Sequence, residues 1–163
     1  MFNISDNLSN DKNKMYCEII EYAKMLMEDE TDYIANLANI SALLNQALND
    51  INWVGFYLAK DEQLVLGPFQ GKVACIRIDK GRGVCGTAYA SQTTQLVENV
   101  HQFSGHIACD SNTNSEIVIP IMSNDKVVAV LDIDSPHMGR FDNCDKVNLE
   151  NLCNLISINC NFA

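Results

Sequence analysis

Three of the seven cysteines fall between Gly71 and Pro120, each in a distinct local setting. Cys75 lies in Gly71-Lys72-Val73-Ala74-Cys75, Cys85 in Gly81-Arg82-Gly83-Val84-Cys85-Gly86, and Cys109 in Gly105-His106-Ile107-Ala108-Cys109-Asp110. The reactive species is the thiolate, favoured by polar or cationic surroundings and disfavoured in apolar ones. Cys109 stands in a polar loop with His106 nearby, and Arg82 would favour a thiolate at Cys85. Cys75, on an apolar stretch, reads equally well as a packed core residue. A second set of residues is acidic. Alternate residues of a strand share a face, so Val130, Asp132 and Asp134 line one side of Val128–Asp134. Glu116 opens the strand across the preceding hairpin. Carboxylates at the end of an apolar strand are costly unless they bind something; the plainer alternative is that they face water at a strand end.

The elements that would hold these residues follow from periodicity. Met15, Ile19, Tyr22, Ala23, Leu26 and Met27 recur at helical spacing, which predicts a helix over 14–30 with Cys17 packed on it. Thr31 and Asp32 can cap a second helix to about Asn49, with Ile34, Leu37, Ala38, Leu44 and Leu48 as its stripe. Asn52–Leu58 is aromatic and β-branched, hence a strand; 60–63 is a hairpin turn and Leu64–Leu66 the return, ended by Gly67-Pro68. Further strands are expected over 73–78, 95–98, 116–122 and 127–133, with a short helix over 84–91. Residues 101–115 have no hydrophobic period, and a loop that long inside a domain is usually functional. Asp142 caps a last helix whose stripe includes Val147, Leu152, Leu155 and Ile156; Cys153 packs there. The order predicts an α+β domain, one central antiparallel sheet with helices mainly on one face. Residues 1–13 read as a flexible polar tail and 14–163 as the domain.

Composition narrows the partners. With 163 residues the chain can bury a full core without disulfides or metal. A net charge of -10 argues against nucleic acid and anionic membranes. No stretch reaches the roughly 18 apolar residues of a membrane span, and the N-terminus has no apolar signal core. An odd number of cysteines without a C-x-x-C pair points to a reducing, cytoplasmic compartment. The cysteine and histidine spacings match no common zinc pattern, so no resident metal is expected, and phosphate-binding glycine loops are absent.

The blocks Asn52-Trp53-Val54-Gly55-Phe56-Tyr57, Gly67–Cys75, Gly81–Ala88, Gly105–Asp110, Asn114–Pro120 and Leu131–Ser135 resemble the free methionine-(R)-sulfoxide reductases, single-domain enzymes of the GAF fold. The resemblance runs from about Trp53 to the C-terminus. It implies Cys109 as nucleophile, Cys75 and Cys85 as further redox cysteines, Glu116, Asp132 and Asp134 as substrate carboxylates, and Trp53, with Tyr57, packing on the substrate methyl. Cys17, Cys144, Cys153 and Cys160 lie outside that pattern. It further implies free methionine sulfoxide as substrate, no bound cofactor and thioredoxin as external reductant; a homodimer stays open as the assembly. Its alternative is a GAF-type sensor without catalysis, for which 163 residues leave no room for an output domain.

The chemistry explains these residue types. A sulfoxide sulfur becomes electrophilic only when its oxygen is protonated or strongly hydrogen-bonded. Crowded carboxylates cannot all ionise, so one can remain neutral and serve as donor; Glu116 is the first choice and Asp134 the second. Attack by Cys109 releases methionine and leaves a sulfenic acid, which a second thiol condenses to a disulfide. The glycines around Cys85 favour it as that second thiol, with Cys75 the other candidate.

Overall fold

The computed structural model describes residues 8–105 and 110–162. Cys109, the expected nucleophile, lies outside the described residues, as does most of the expected tail. Among the described residues four α-helices and six strands follow one another: α1 Lys12–Leu26, α2 Tyr33–Ala47, β1 Trp53–Lys60, β2 Gln63–Gly71, β3 Arg77–Asp79, α3 Gly83–Ser91, β4 Gln95–Val97, β5 Ser115–Ser123, β6 Lys126–Ser135 and α4 Asn143–Asn159. The strands form one antiparallel sheet in the order β3-β2-β1-β6-β5-β4. Period-2 alternation divides the sheet's side chains between two cores. Val54, Phe56, Leu58, Ile117, Ile119, Leu131 and Ile133 meet α1, α2 and α4 on one face. Trp53, Tyr57, Val118 and Val130 meet α3 on the other. The expected architecture is thus present, with α3 alone across the sheet from the remaining helices.

Several local expectations need correction. The strand after the first hairpin does not stop at Gly67-Pro68 but continues to Gly71. The β1–β2 register shifts between Gly55 and Tyr57, and this irregularity accommodates a proline that cannot donate to the ladder. The strand expected over 73–78 is confined to Arg77–Asp79, and Val73 and Ile76 are exposed. Helix α1 starts at Lys12, capped by Asp11, and Leu8 packs against the core. Cys17, expected to pack, is exposed, as are Ile34 and Val147. In α4 Leu152, Cys153 and Ile156 are buried as expected, and Leu149 joins them in place of Val147. Among the described residues no helix is long and apolar enough to cross a membrane.

One buried carboxylate joins distant parts of the helical layer. Asp145 accepts from Asp142 N at 2.8 Å, closing the capping box of α4. It also meets Lys12 Nζ at 2.6 Å, Tyr16 Oη at 2.7 Å and Arg140 Nη1 at 3.4 Å. The carboxylate is fully buried, yet it is surrounded by donors, so its desolvation is offset only while they all remain. Removing one partner of such a set leaves buried groups unpaired. Asp145→Ala should therefore cost about 3–5 kcal/mol in chemical denaturation, read as an earlier midpoint with an unchanged denaturant slope. A loss under about 1 kcal/mol would mean that the network adds no more than an exposed pair does.

Candidate functional site

Strand register builds the site. Trp53 on β1 lies opposite Asp134 on β6, which lies opposite Glu116 on β5. One row further along, Asp132 lies between Gly55 and Val118. Trp53, Asp134, Glu116 and Asp132 therefore project from the α3 face of the sheet at one end of the central strands. Helix α3 brings Cys85 down on them: its Sγ lies 3.9 Å from Glu116 Oε1. Gly86 makes that approach possible, because a Cβ there would sit 2.4 Å from the Asp79 carbonyl oxygen.

An aromatic wall stands beside the acids. The Trp53 indole stacks on Phe69 at 5.2 Å between ring centroids and on Tyr57 at 5.9 Å. Its Nε1 donates to Lys72 O, and the Tyr57 hydroxyl donates to Cys75 O at 3.0 Å. Gly71, with φ of +134°, lets the chain leave β2 across the indole; a Cβ there would lie 2.6 Å from Trp53 Cδ1. The two tyrosine and tryptophan bonds pin residues 72–75 over the acids. Together these elements enclose a pocket whose walls are the acids, the aromatic side chains and α3.

Glu116, Asp132, Asp134, Trp53, Tyr57 and Cys85, all candidates from the sequence, are brought together around this pocket. Cys75 is disulfide-bonded and packs at the edge of the same core, whereas Cys85 is free and buried. The preference for Cys85 as the second redox thiol therefore meets a physical objection. The glycine that follows it is no hinge: Gly86 is a close-packing contact that fixes α3 against Asp79. Burial, followed by the neighbouring charges of Asp132 and Glu116, drives the Cys85 thiol well above its usual range. A neutral, enclosed thiol is a poor nucleophile.

Sequence reasoning missed the rim. Lys72 Nζ pairs with Asp110 Oδ2 at 3.1 Å, and Asn52 Nδ2 donates to Asp110 Oδ2 and Thr113 Oγ1. Asp110, Thr113, Lys72 and Arg82 all border the pocket. The bond from Asn112 N, followed by the Lys72 ammonium, holds the Asp110 carboxyl below its usual range. The available signal was the Asx pattern Asp110-Ser111-Asn112, a turn in which the acid caps its own loop.

Electrostatics set the acids apart from ordinary surface carboxylates. Burial raises Glu116 well above the normal range, and the charges of Asp132 and Asp134 raise it further. Asp134 is raised for the same reasons, burial first and Asp132 second. Asp132 is raised by burial to about 6, despite hydrogen bonds from Cys85 and Glu116 that favour its charge. One of its oxygens, Oδ1, is buried without a hydrogen-bond partner. Such a group is expensive to keep. The sign for stability follows directly. A carboxyl whose folded pKa exceeds its unfolded value stabilises the fold below about pH 4, and this contribution is lost as pH rises through about 6. A shift of about 2 units corresponds to roughly 3 kcal/mol. Asp132→Asn should therefore raise the melting temperature at pH 8 and lose that advantage on titration towards pH 4. Equal melting temperatures at pH 8 would show that Asp132 ionises without cost.

Comparison with known proteins agrees with this geometry. Residues 37–159 match the GAF domain family. The chain is 53% identical over 141 residues to the free methionine-R-sulfoxide reductase of Escherichia coli, covering 86% of each chain. It is 44% identical to the protein of that name from Saccharomyces cerevisiae, covering 98% of this chain and 92% of the other. The solved structure of the Neisseria meningitidis free methionine-R-sulfoxide reductase in complex with its substrate superposes with a TM-score of 0.90 at 43% identity, covering 93% of this chain and 91% of that one. These identities and coverages, on a GAF sheet with buried acids and an aromatic wall at one end, place this chain in the free methionine-R-sulfoxide reductase family.

Proposed function

We propose that this chain reduces free L-methionine-(R)-sulfoxide to methionine, with Cys109 as nucleophile and Cys75 as the resolving thiol. The observation that carries the reading is the buried acid cluster. Burial, followed by the charges of Asp132 and Asp134, raises Glu116 well above its usual range, which favours the neutral acid that can donate a proton to the sulfoxide oxygen. The Cys109 thiolate attacks the sulfur of the polarised sulfoxide; the sulfur–oxygen bond breaks and methionine leaves. The oxygen ends on Cys109 as a sulfenic acid. The Cys75 thiol attacks that sulfur, water departs, and a disulfide forms. Two thiols are oxidised for each sulfoxide reduced, so the electrons balance. Asp110, the next residue after Cys109, borders the pocket, and Cys75 has a disulfide while Cys85 does not. Both facts support this assignment. Exchange with a thioredoxin dithiol in the cytoplasm would return the enzyme to its reduced form.

The remaining acids are assigned to the amino group. Only one proton donor is needed, and the unpartnered Asp132 Oδ1 offers an acceptor to a charged ammonium. Such a charge-assisted bond contributes about 1.5–3 kcal/mol. Trp53 and Tyr57 supply an apolar surface for the terminal methyl. An acylated nitrogen carries no charge, and leaving a buried carboxylate unpaired costs roughly 3–5 kcal/mol. Catalytic efficiency on the free amino acid should therefore exceed that on its N-acetyl derivative or on a sulfoxide-containing peptide by more than about a hundredfold. Comparable values on all three substrates would remove the ammonium from the account. Cys109→Ser should abolish turnover in a folded protein, whereas Cys75→Ser should complete one stoichiometric turnover and then stall with thioredoxin. Full cycling by Cys75→Ser would transfer the resolving role to Cys85.

A further inference from the structure

The Cys85 thiol is left without a redox step by this reading, yet it is aimed at the acids. Cys85 Sγ and one carboxylate oxygen each of Glu116 and Asp132 lie within 4.8 Å of one another, and all three residues are buried. The unsatisfied Asp132 Oδ1 is a second, independent sign that this corner of the pocket accepts a cationic ligand. We infer that Cys85, Glu116 and Asp132 form a site for an exchangeable thiophilic divalent cation of the zinc class. Ligand chemistry selects the class. One sulfur and two oxygens suit zinc or cobalt, whereas magnesium and calcium require six or more oxygens. Zinc bonds of about 2.3 Å to sulfur and 2.0–2.2 Å to oxygen place tetrahedral donors roughly 3.5 Å apart, so the three side chains need close by only about an ångström. The close approach of Gly86 to the Asp79 carbonyl fixes α3 and so keeps the sulfur in position before the ion arrives. Three protein ligands leave a fourth position open for water or an anion. The ion would occupy the corner that holds the acids, so the same donors cannot serve it and an organic ligand together. Binding requires the thiol and carboxyls to give up their protons, because only the deprotonated forms coordinate.

Cobalt(II) provides the test, because a cobalt–thiolate bond gives a near-ultraviolet charge-transfer band that cobalt on oxygen ligands lacks. Fully reduced protein titrated with cobalt(II) under argon should develop the band at one equivalent, and zinc(II) should displace it. Cys85→Ser should lose the band. Cys17→Ser and Cys144→Ser, which alter the exposed and half-exposed thiols, should keep it. Loss of a supporting second-shell group already lowers metal affinity about 10–100-fold, so Asp132→Asn, which removes a direct ligand, should weaken cobalt binding by about a hundredfold. No band in the wild type, or an undiminished band in Cys85→Ser, would overturn the site. If Cys85→Ser does not fold by circular dichroism, Asp132→Asn decides, and unchanged affinity there overturns the site equally. None of these readouts uses sulfoxide turnover, so the metal site and the proposed activity stand or fall separately.

Discussion

Mutual repulsion among buried carboxyls is the constraint on which this molecule depends. Glu116, Asp132 and Asp134 share one end of three adjacent strands, and burial raises each of them before any neighbour acts. Water would solvate three anions easily; a pocket roofed by residues 72–75 and α3 cannot. The fold must therefore either keep protons there or bind a cation. Both responses have chemical uses: a retained proton activates an oxygen, and a vacant acceptor recognises an ammonium or a metal. The strain is tolerated because the rest of the structure determines the positions of these groups. It also places the expected stability maximum below the pH at which the last of them ionises.

The scaffold is arranged to impose that crowding. The hydrophobic core proper lies on the face covered by α1, α2 and α4. It is held at its edge by the Asp145 network. The α3 face is thinner, and its core is completed by Trp53, Tyr57 and Val118 around the pocket itself. A rigid layer behind the sheet thus supports a site in front of it, and the polar groups are added only where the strands end.

Much of this was readable from residue types. Strand alternation put Asp132 and Asp134 on one face, and the hairpin put Glu116 beside them, because a period of 2 leaves no other option once one face is buried. Helix caps at Asp32 and Asp142 were equally legible. What escaped was non-local. The Val73–Ile78 run has strand composition, but tertiary contacts turn its first half into the pocket's lip. Gly67-Pro68 looked like a stop because the bulge that absorbs it belongs to the pairing with β1 and not to β2 alone. Glycines around Cys85 suggested mobility, whereas Gly86 serves close packing; a glycine's neighbours in space, absent from the sequence, decide between the two. The Lys72–Asp110–Asn52 rim joins three separate segments, and nothing local to any of them announces the contact.

Everything chemical in this account requires that the acid cluster retain a proton at neutral pH, and infrared spectroscopy observes that proton directly. A difference spectrum at pH 7 between the wild type and Glu116→Gln should show the carbonyl stretch of a protonated, water-excluded carboxylic acid in the wild type and its loss in the variant. A wild-type spectrum containing only carboxylate bands at pH 7 would contradict the account, since three ionised acids could polarise no sulfoxide.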